Sequence, residues 1–159
     1  MRRVEEFALR KGLVIHRPLG SGVHGSVFAA ESHLEGGQVA LKGFEHERWF
    51  RQERDVYLRL LDRGIFEVCG CHIPELLDFD DRLWVIEMTI VTRPFVLDFA
   101  GAYLDHAPDF SDEVLADWHA EKREQFETRW SDVLRILAAL QMHGIHMIDV
   151  NPGNISFGD

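Results

Sequence analysis

The chain has 159 residues, 46% of them hydrophobic and 28% charged, which is enough apolar content for one domain with a real core. Lys plus Arg number 17 against 27 Asp plus Glu, and the formal net charge of -10 argues against a nucleic acid or an anionic membrane held by bulk electrostatics. No signal-peptide core opens the chain and no window approaches the roughly 18 apolar residues of a membrane span, so the expectation is a cytoplasmic protein with no membrane partner.

In chain order, residues 13 to 41 hold short β-rich runs broken by glycine: "LVIHRPL", "SVFAAES", then "HLEGG" as a turn, then "QVALKGF". They predict a small antiparallel sheet. Between residues 45 and 63, Trp49, Phe50, Val56, Tyr57, Leu60 and Leu61 recur at helical spacing, with Gly64 placed to end the helix. "IPELLDF" and "RLWVIEMTIV" read as two further strands joined across "DFDDR". Cys69 and Cys71 in "CGCH" lack a second half-site for a metal and read as reduced thiols. The acidic stretch from Asp98 to Asp117 reads as a short helix and loop forming a solvated face. Phe126, Trp130, Val133, Leu134, Leu137 and Leu140 make one stripe of a long helix ending near Gly144. The pattern is α+β in one continuous domain, residues 1-159, with an antiparallel sheet first.

Chemistry concentrates in three places. "GSGVHGSV" fits G-x-G-x-x-G-x-V through Gly20, Gly22, Gly25 and Val27 on a predicted strand-turn-strand. Glycines there let backbone N–H groups approach phosphate oxygens without an intervening Cβ. An ordinary glycine-rich hairpin is the competing reading. On the third predicted strand, period-two alternation puts Ala40 and Lys42 on one face and Val39 and Leu41 on the other. A small residue beside a cation suits a flat ring next to a phosphate chain, whereas an edge-strand lysine would face water. Glu53 sits on the apolar stripe of the following helix, where a carboxylate is costly unless paired, and Lys42 is its natural partner. At the margin of the stripe it would reach solvent instead.

Together these residues resemble the protein-kinase family. Gly20, Gly22, Gly25 and Val27 match its glycine-rich loop, Lys42 in "VALK" its third-strand lysine, and Glu53 in "RQERDVYLRL" the glutamate that pairs with that lysine. "LWVIEMTIV" is similar to the strand that runs into the hinge. The resemblance implies that Ala40 and Ile86 border an adenine pocket, and that the backbone from Glu87 to Met88 bonds the adenine edge. "LAALQMHGIHMIDVNPGN" is similar to the helix and catalytic loop, which implies Asp149 as the acid that accepts the substrate hydroxyl proton and Asn154 as a metal ligand. The implied fold is kinase-like: a five-stranded N-lobe over residues 1-90 with one helix, and a partial, mainly helical C-lobe over 91-159. The implied cofactors are ATP and Mg²⁺, and the implied activity is phosphoryl transfer to a protein or small-molecule hydroxyl, with an impaired nucleotide-binding or protein-interaction module as the alternative.

The match has departures. Met147 and Ile148 stand where the family has His-Arg, and His146 lies one position too early to replace that histidine. Asn151 replaces a lysine that neutralises the transferring phosphate, so transfer should be slow unless another cation substitutes. After Asn154 the family continues through a strand, a turn, a second strand and Asp-Phe-Gly. Here "ISF" supplies the first strand and "GD" a turn signal at the final residues, with Asp159 too near Asn154 to be the second metal acid. The expectation is therefore a truncated C-lobe that exposes the apolar side of the helix carrying Trp130 and Leu137, and that self-associates or takes a companion chain.

Overall fold

A computed structural model describes residues 1–32 and 36–158; residues 33–35 of the expected "HLEGG" turn, and Asp159, lie outside the described residues. The elements in chain order begin with helix α1 (Arg2–Lys11) and strands β1 (Leu13–Gly22), β2 (Gly25–Ser32) and β3 (Gln38–Phe44). Helix α2 (Glu47–Asp62) follows, then β4 (Glu67–Val68), β5 (Cys71–His72), β6 (Leu76–Asp80), β7 (Val85–Thr89), β8 (Phe95–Val96) and β9 (Tyr103–Leu104). Helix α3 (Asp112–Phe126), a 3₁₀ turn (Glu127–Arg129), helix α4 (Trp130–Gln141), β10 (Ile145–His146) and β11 (Ile155–Ser156) complete the chain. This is an α+β architecture with mainly antiparallel sheets.

The largest sheet has the order β1-β2-β3-β7-β6, antiparallel throughout. Its two faces are closed by different helices, as period-two alternation requires. Leu41 and Val85 join Val4, Phe7 and Ala8 of α1 in one core cluster. Ala40, Ile86 and Met88 on the other face join Phe50, Val56, Tyr57 and Leu60 of α2 in the main core. Each of these large side chains contributes roughly 1.5–3 kcal/mol on leaving water. Helix α1 is an addition to the sequence reading: Val4, Phe7 and Ala8 at i, i+3 and i+4 carry it, a stripe short enough to pass unread.

Helix α2 ends as expected. Gly64 takes φ 65, its N–H bonds Leu61 O at 3.1 Å, and Ile65 N–H bonds Leu60 O at 2.9 Å. That paired closure needs the left-handed residue that glycine supplies without strain.

The second half departs from the expected long helix. The backbone turns at Glu127, with φ 50, so that α3 and α4 are separate and α3 folds against the start of α4. Trp118 meets Trp130 with ring centroids 6.0 Å apart, and Phe126 stacks on Trp130 at 6.3 Å. Trp130 is 6% exposed beneath these rings and Leu137, in the main core, is 8% exposed, which corrects the expectation that this side lies bare. In α4 Ile136 is buried where the stripe had placed Leu134, which stays at 38% exposure. No helix among the described residues is long and apolar enough to cross a membrane. Cys69 and Cys71 are both free thiols, the first exposed and the second buried.

Candidate functional site

A cleft of about 680 Å³ opens between the large sheet and the loops after β8 and β10. That is within the usual size for a small-molecule site. A second cleft, of about 340 Å³, is lined by Cys71, Arg129, Asp132 and Arg135, but its arginines already face Asp132 at 3.2 and 3.7 Å. The convergent, unbalanced charges are in the larger one.

Its roof is the β1–β2 hairpin. Gly22 pairs with Gly25 and Gly20 with Val27, so Val23 and His24 form the two-residue turn. The glycines serve different ends. A Cβ on Gly25 would fall inside the van der Waals envelope of the Gly43 carbonyl oxygen, so this glycine is required by the close approach of β3. Around Gly20 and Gly22 a Cβ would meet open space, as a loop with room for a ligand requires.

Ala40 and Lys42 of β3 line the cleft, on the face that alternation assigned to them. The Lys42 ammonium, buried at 4% exposure, donates to Glu53 Oε2 at 2.6 Å, and Glu53 is fully buried on α2. Lys42 and Glu53 are therefore partners, and neither faces water. Burial pulls the Lys42 pKa down, but the Glu53 and Asp98 carboxylates outweigh it and hold the ammonium above the ordinary lysine value. Burial pushes Glu53 up to about 7, against the pull of Lys42.

Asp98 is the residue that sequence reasoning missed. Counted there within a solvated acidic face, it accepts from Lys42 Nζ at 3.0 Å through Oδ1 and lines the cleft. Its backbone sits at φ 65, a left-handed conformation that Asp tolerates better than most residues. The next residue, Phe99, is fully buried against Tyr57 with ring centroids 5.4 Å apart, which anchors the acid from below. The available signal was local: an acid followed by Phe-Ala-Gly after the apolar run Phe95, Val96 and Leu97. Charge counting over a wide window hid it.

Opposite stand Asp149 and Asn154, on the loop between β10 and β11. Asn151 shapes that loop: its Oδ1 accepts from Gly153 N–H at 2.9 Å and Asn154 N–H at 3.2 Å, while its Nδ2 donates to Asp149 Oδ1 at 3.3 Å. Asn154, 8% exposed, donates from Nδ2 to the Asp149 carbonyl at 2.9 Å, which leaves its Oδ1 available as a ligand. Asp149 keeps 43% of its side chain exposed, open to a reactant.

The expected adenine-edge residues divide. Met88 lines the cleft, followed by Thr89, Ile90 and Val91, but Ile86 and Glu87 do not. Ile86 shares the cleft-side face but is sealed in the core at 0% exposure. Glu87 points to the opposite face, where its carboxylate lies 3.2 Å from Lys11 of α1. The side chains that this strand sends to the cleft are thus Met88 and the residues that follow it.

His24 was also missed. From the hairpin turn its Nδ1 lies 3.8 Å from Asp98 Oδ1 and 3.8 Å from Asp149 Oδ2. Its ring packs edge-on to Trp49 at 4.7 Å between centroids. The cleft thus gathers Glu53, Asp98 and Asp149 about the single ammonium of Lys42, an excess of carboxylate charge that favours a cation. No model of a known protein family matches the chain, and neither does any curated protein.

Proposed function

We propose that the chain is a kinase-like, ATP-dependent phosphotransferase, acting on a protein or small-molecule hydroxyl. The observation that carries this reading is the meeting of Lys42 and Glu53 on one side of the cleft with Asp98, Asp149 and Asn154 on the other, beneath a glycine hairpin. The five-stranded sheet with α2 corresponds to the N-lobe of a kinase-like fold, and residues 91-159 to elements of its C-lobe.

Asp98 supplies what the order of the sequence left missing. In the family pattern the strand after the metal-binding Asn is followed by a second strand and an acid-Phe pair. Here β11, directly after Asn154, pairs antiparallel with β8, and Asp98-Phe99 follows β8. The same neighbours meet in space although the second strand comes earlier in the chain. The donor set suits Mg²⁺: hard oxygens from Asp98 and the Asn154 amide, in a cleft with surplus negative charge. When bound, Mg²⁺ would neutralise charge on the phosphate oxygens.

In this reading Glu53 holds Lys42 toward the phosphates, and the β1–β2 hairpin covers them with backbone N–H groups. Asp149, exposed and oriented by Asn151, takes the proton of the attacking hydroxyl. The adenine would lie against Ala40 and Met88, with its edge toward Thr89, Ile90 and Val91. One observation favours the second reading, a nucleotide-binding module without efficient transfer: Lys42 is the sole Lys or Arg among the described residues that line the cleft.

Two measurements test the proposal. Thermal shift with ATP, with and without Mg²⁺, should rise by several degrees and further with the metal. Transfer from labelled ATP should be lost in Asp149→Asn. Binding without transfer selects the module, and no binding removes both.

A further inference from the structure

We infer that His24, Asp98 and Asp149 together form a binding site for a transition-metal dication of the Mn²⁺ type, occupied without nucleotide and closing the hairpin onto the two acids. The site goes beyond the phosphotransfer reading because it takes a nitrogen ligand from the β1–β2 turn and needs no phosphate.

The geometry carries it. One ligand atom from each of the three residues lies within 4.8 Å of the others. The two His24 separations, 3.8 Å each, are too long for hydrogen bonds. Yet two ligands held at about 2.0–2.2 Å from one ion stand roughly 3–4.2 Å apart, so the imidazole is spaced from each carboxylate as two ligands of one ion are. Asp98 Oδ1 also accepts from Lys42, and its remaining lone pair is free to coordinate.

The orientation of His24 is a second, independent observation. The turn is at the surface: Val23 is 77% exposed. His24 beside it keeps only 14% of its side chain exposed, although its ring makes no hydrogen bond with any described residue and only its backbone carbonyl accepts, from Glu45 N–H at 3.3 Å. Trp49 holds the ring edge-on at 4.7 Å and aims it inward. A polar ring turned away from water toward two carboxylates, without bonding either, is placed for a shared ion.

The ligand chemistry selects the metal. Two carboxylates alone suit Mg²⁺, whereas one imidazole with two carboxylates favours a first-row transition ion. Mn²⁺ also avoids the thiols of Cys69 and Cys71, which makes it the cleaner probe.

The test titrates Mn²⁺ into the nucleotide-free chain by calorimetry and reads nitrogen coupling to the bound ion by pulsed electron paramagnetic resonance. Wild type should bind one ion with a histidine nitrogen coupling. His24→Ala should lose the coupling and bind at least about tenfold more weakly, and Asp98→Asn should also weaken binding. Mg²⁺ affinity should be unchanged in His24→Ala. Equal Mn²⁺ affinity in wild type and His24→Ala would overturn the site. So would the absence of nitrogen coupling in wild type, a readout that stands even where a variant folds poorly. Coupling in a chain that binds no ATP would leave this site standing and remove the phosphotransfer reading; ATP binding without coupling would do the reverse.

Discussion

The large sheet and the small sheets build the two walls of the cleft by different means. Strands β1, β2, β3, β6 and β7 run from five to ten residues, pair mainly with their neighbours in the chain and are covered by α1 and α2. Strands β4, β5 and β8 to β11 are two residues each, and β8 finds β11 from the far end of the chain. The long strands hold Lys42 against Glu53 at 2.6 Å with both groups buried. The short ones deliver Asp98 and Asp149 with partly exposed carboxylates, each 3.8 Å from His24. The cation is fixed by a packed wall, while the acids sit on a wall with fewer backbone bonds and more freedom to close on a ligand.

The largest effect should come from breaking the rigid wall. Lys42→Met leaves the buried Glu53 carboxyl without its partner and should cost about 3–5 kcal/mol in urea unfolding, with most of it regained when Glu53→Leu is added. A loss below about 1 kcal/mol would mean that water reaches the pair and that the two walls are alike. On the looser wall the cost should fall on chemistry and not on stability. Asp149→Asn should lower phosphoryl transfer by at least about a hundredfold while shifting unfolding by no more than about 0.5 kcal/mol.

Within the roof the same contrast should divide two glycines. Gly25→Ala drives a Cβ into the Gly43 carbonyl and should cost about 1–3 kcal/mol. Gly20→Ala, facing open space, should stay within about 0.5 kcal/mol in thermal unfolding.

A last contrast is the pH dependence of the rigid wall. Glu53 is raised from 4.5 to about 7 in the folded chain, so the native state holds its proton more tightly than the unfolded state. Its contribution to stability is fully present below 4.5 and is lost as pH rises through about 7. Melting temperatures at about pH 5 and about pH 7.5 should fall further for wild type than for Glu53→Gln. Parallel profiles would place the Glu53 carboxyl outside the low-dielectric core.

Some of this was legible without coordinates because local physics decided it. Alternation along "VALK" put Ala40 and Lys42 together, and helical spacing put Glu53 on the buried stripe, where an unpaired carboxylate could not stay. The depth along "VIEMT" was not so fixed: Ile86 was expected to border the cleft and is sealed in the core instead. Helix α1 rests on three apolar positions whose value appears only once the outer face of the sheet needs a cover.

The sequence by itself determined the strands of the large sheet, helix α2 and the Lys42–Glu53 pair, because each depends on side-chain period or on the cost of burying a charge within a short window; the loop carrying Asp149 and Asn154 was legible only through its likeness to a family motif. Only the tertiary structure decided that Asp98 belongs to the site, that His24 turns inward, that α3 folds back over Trp130 and that β8 lies beside β11. Those depend on which distant segments pack together, and no local period records such a choice.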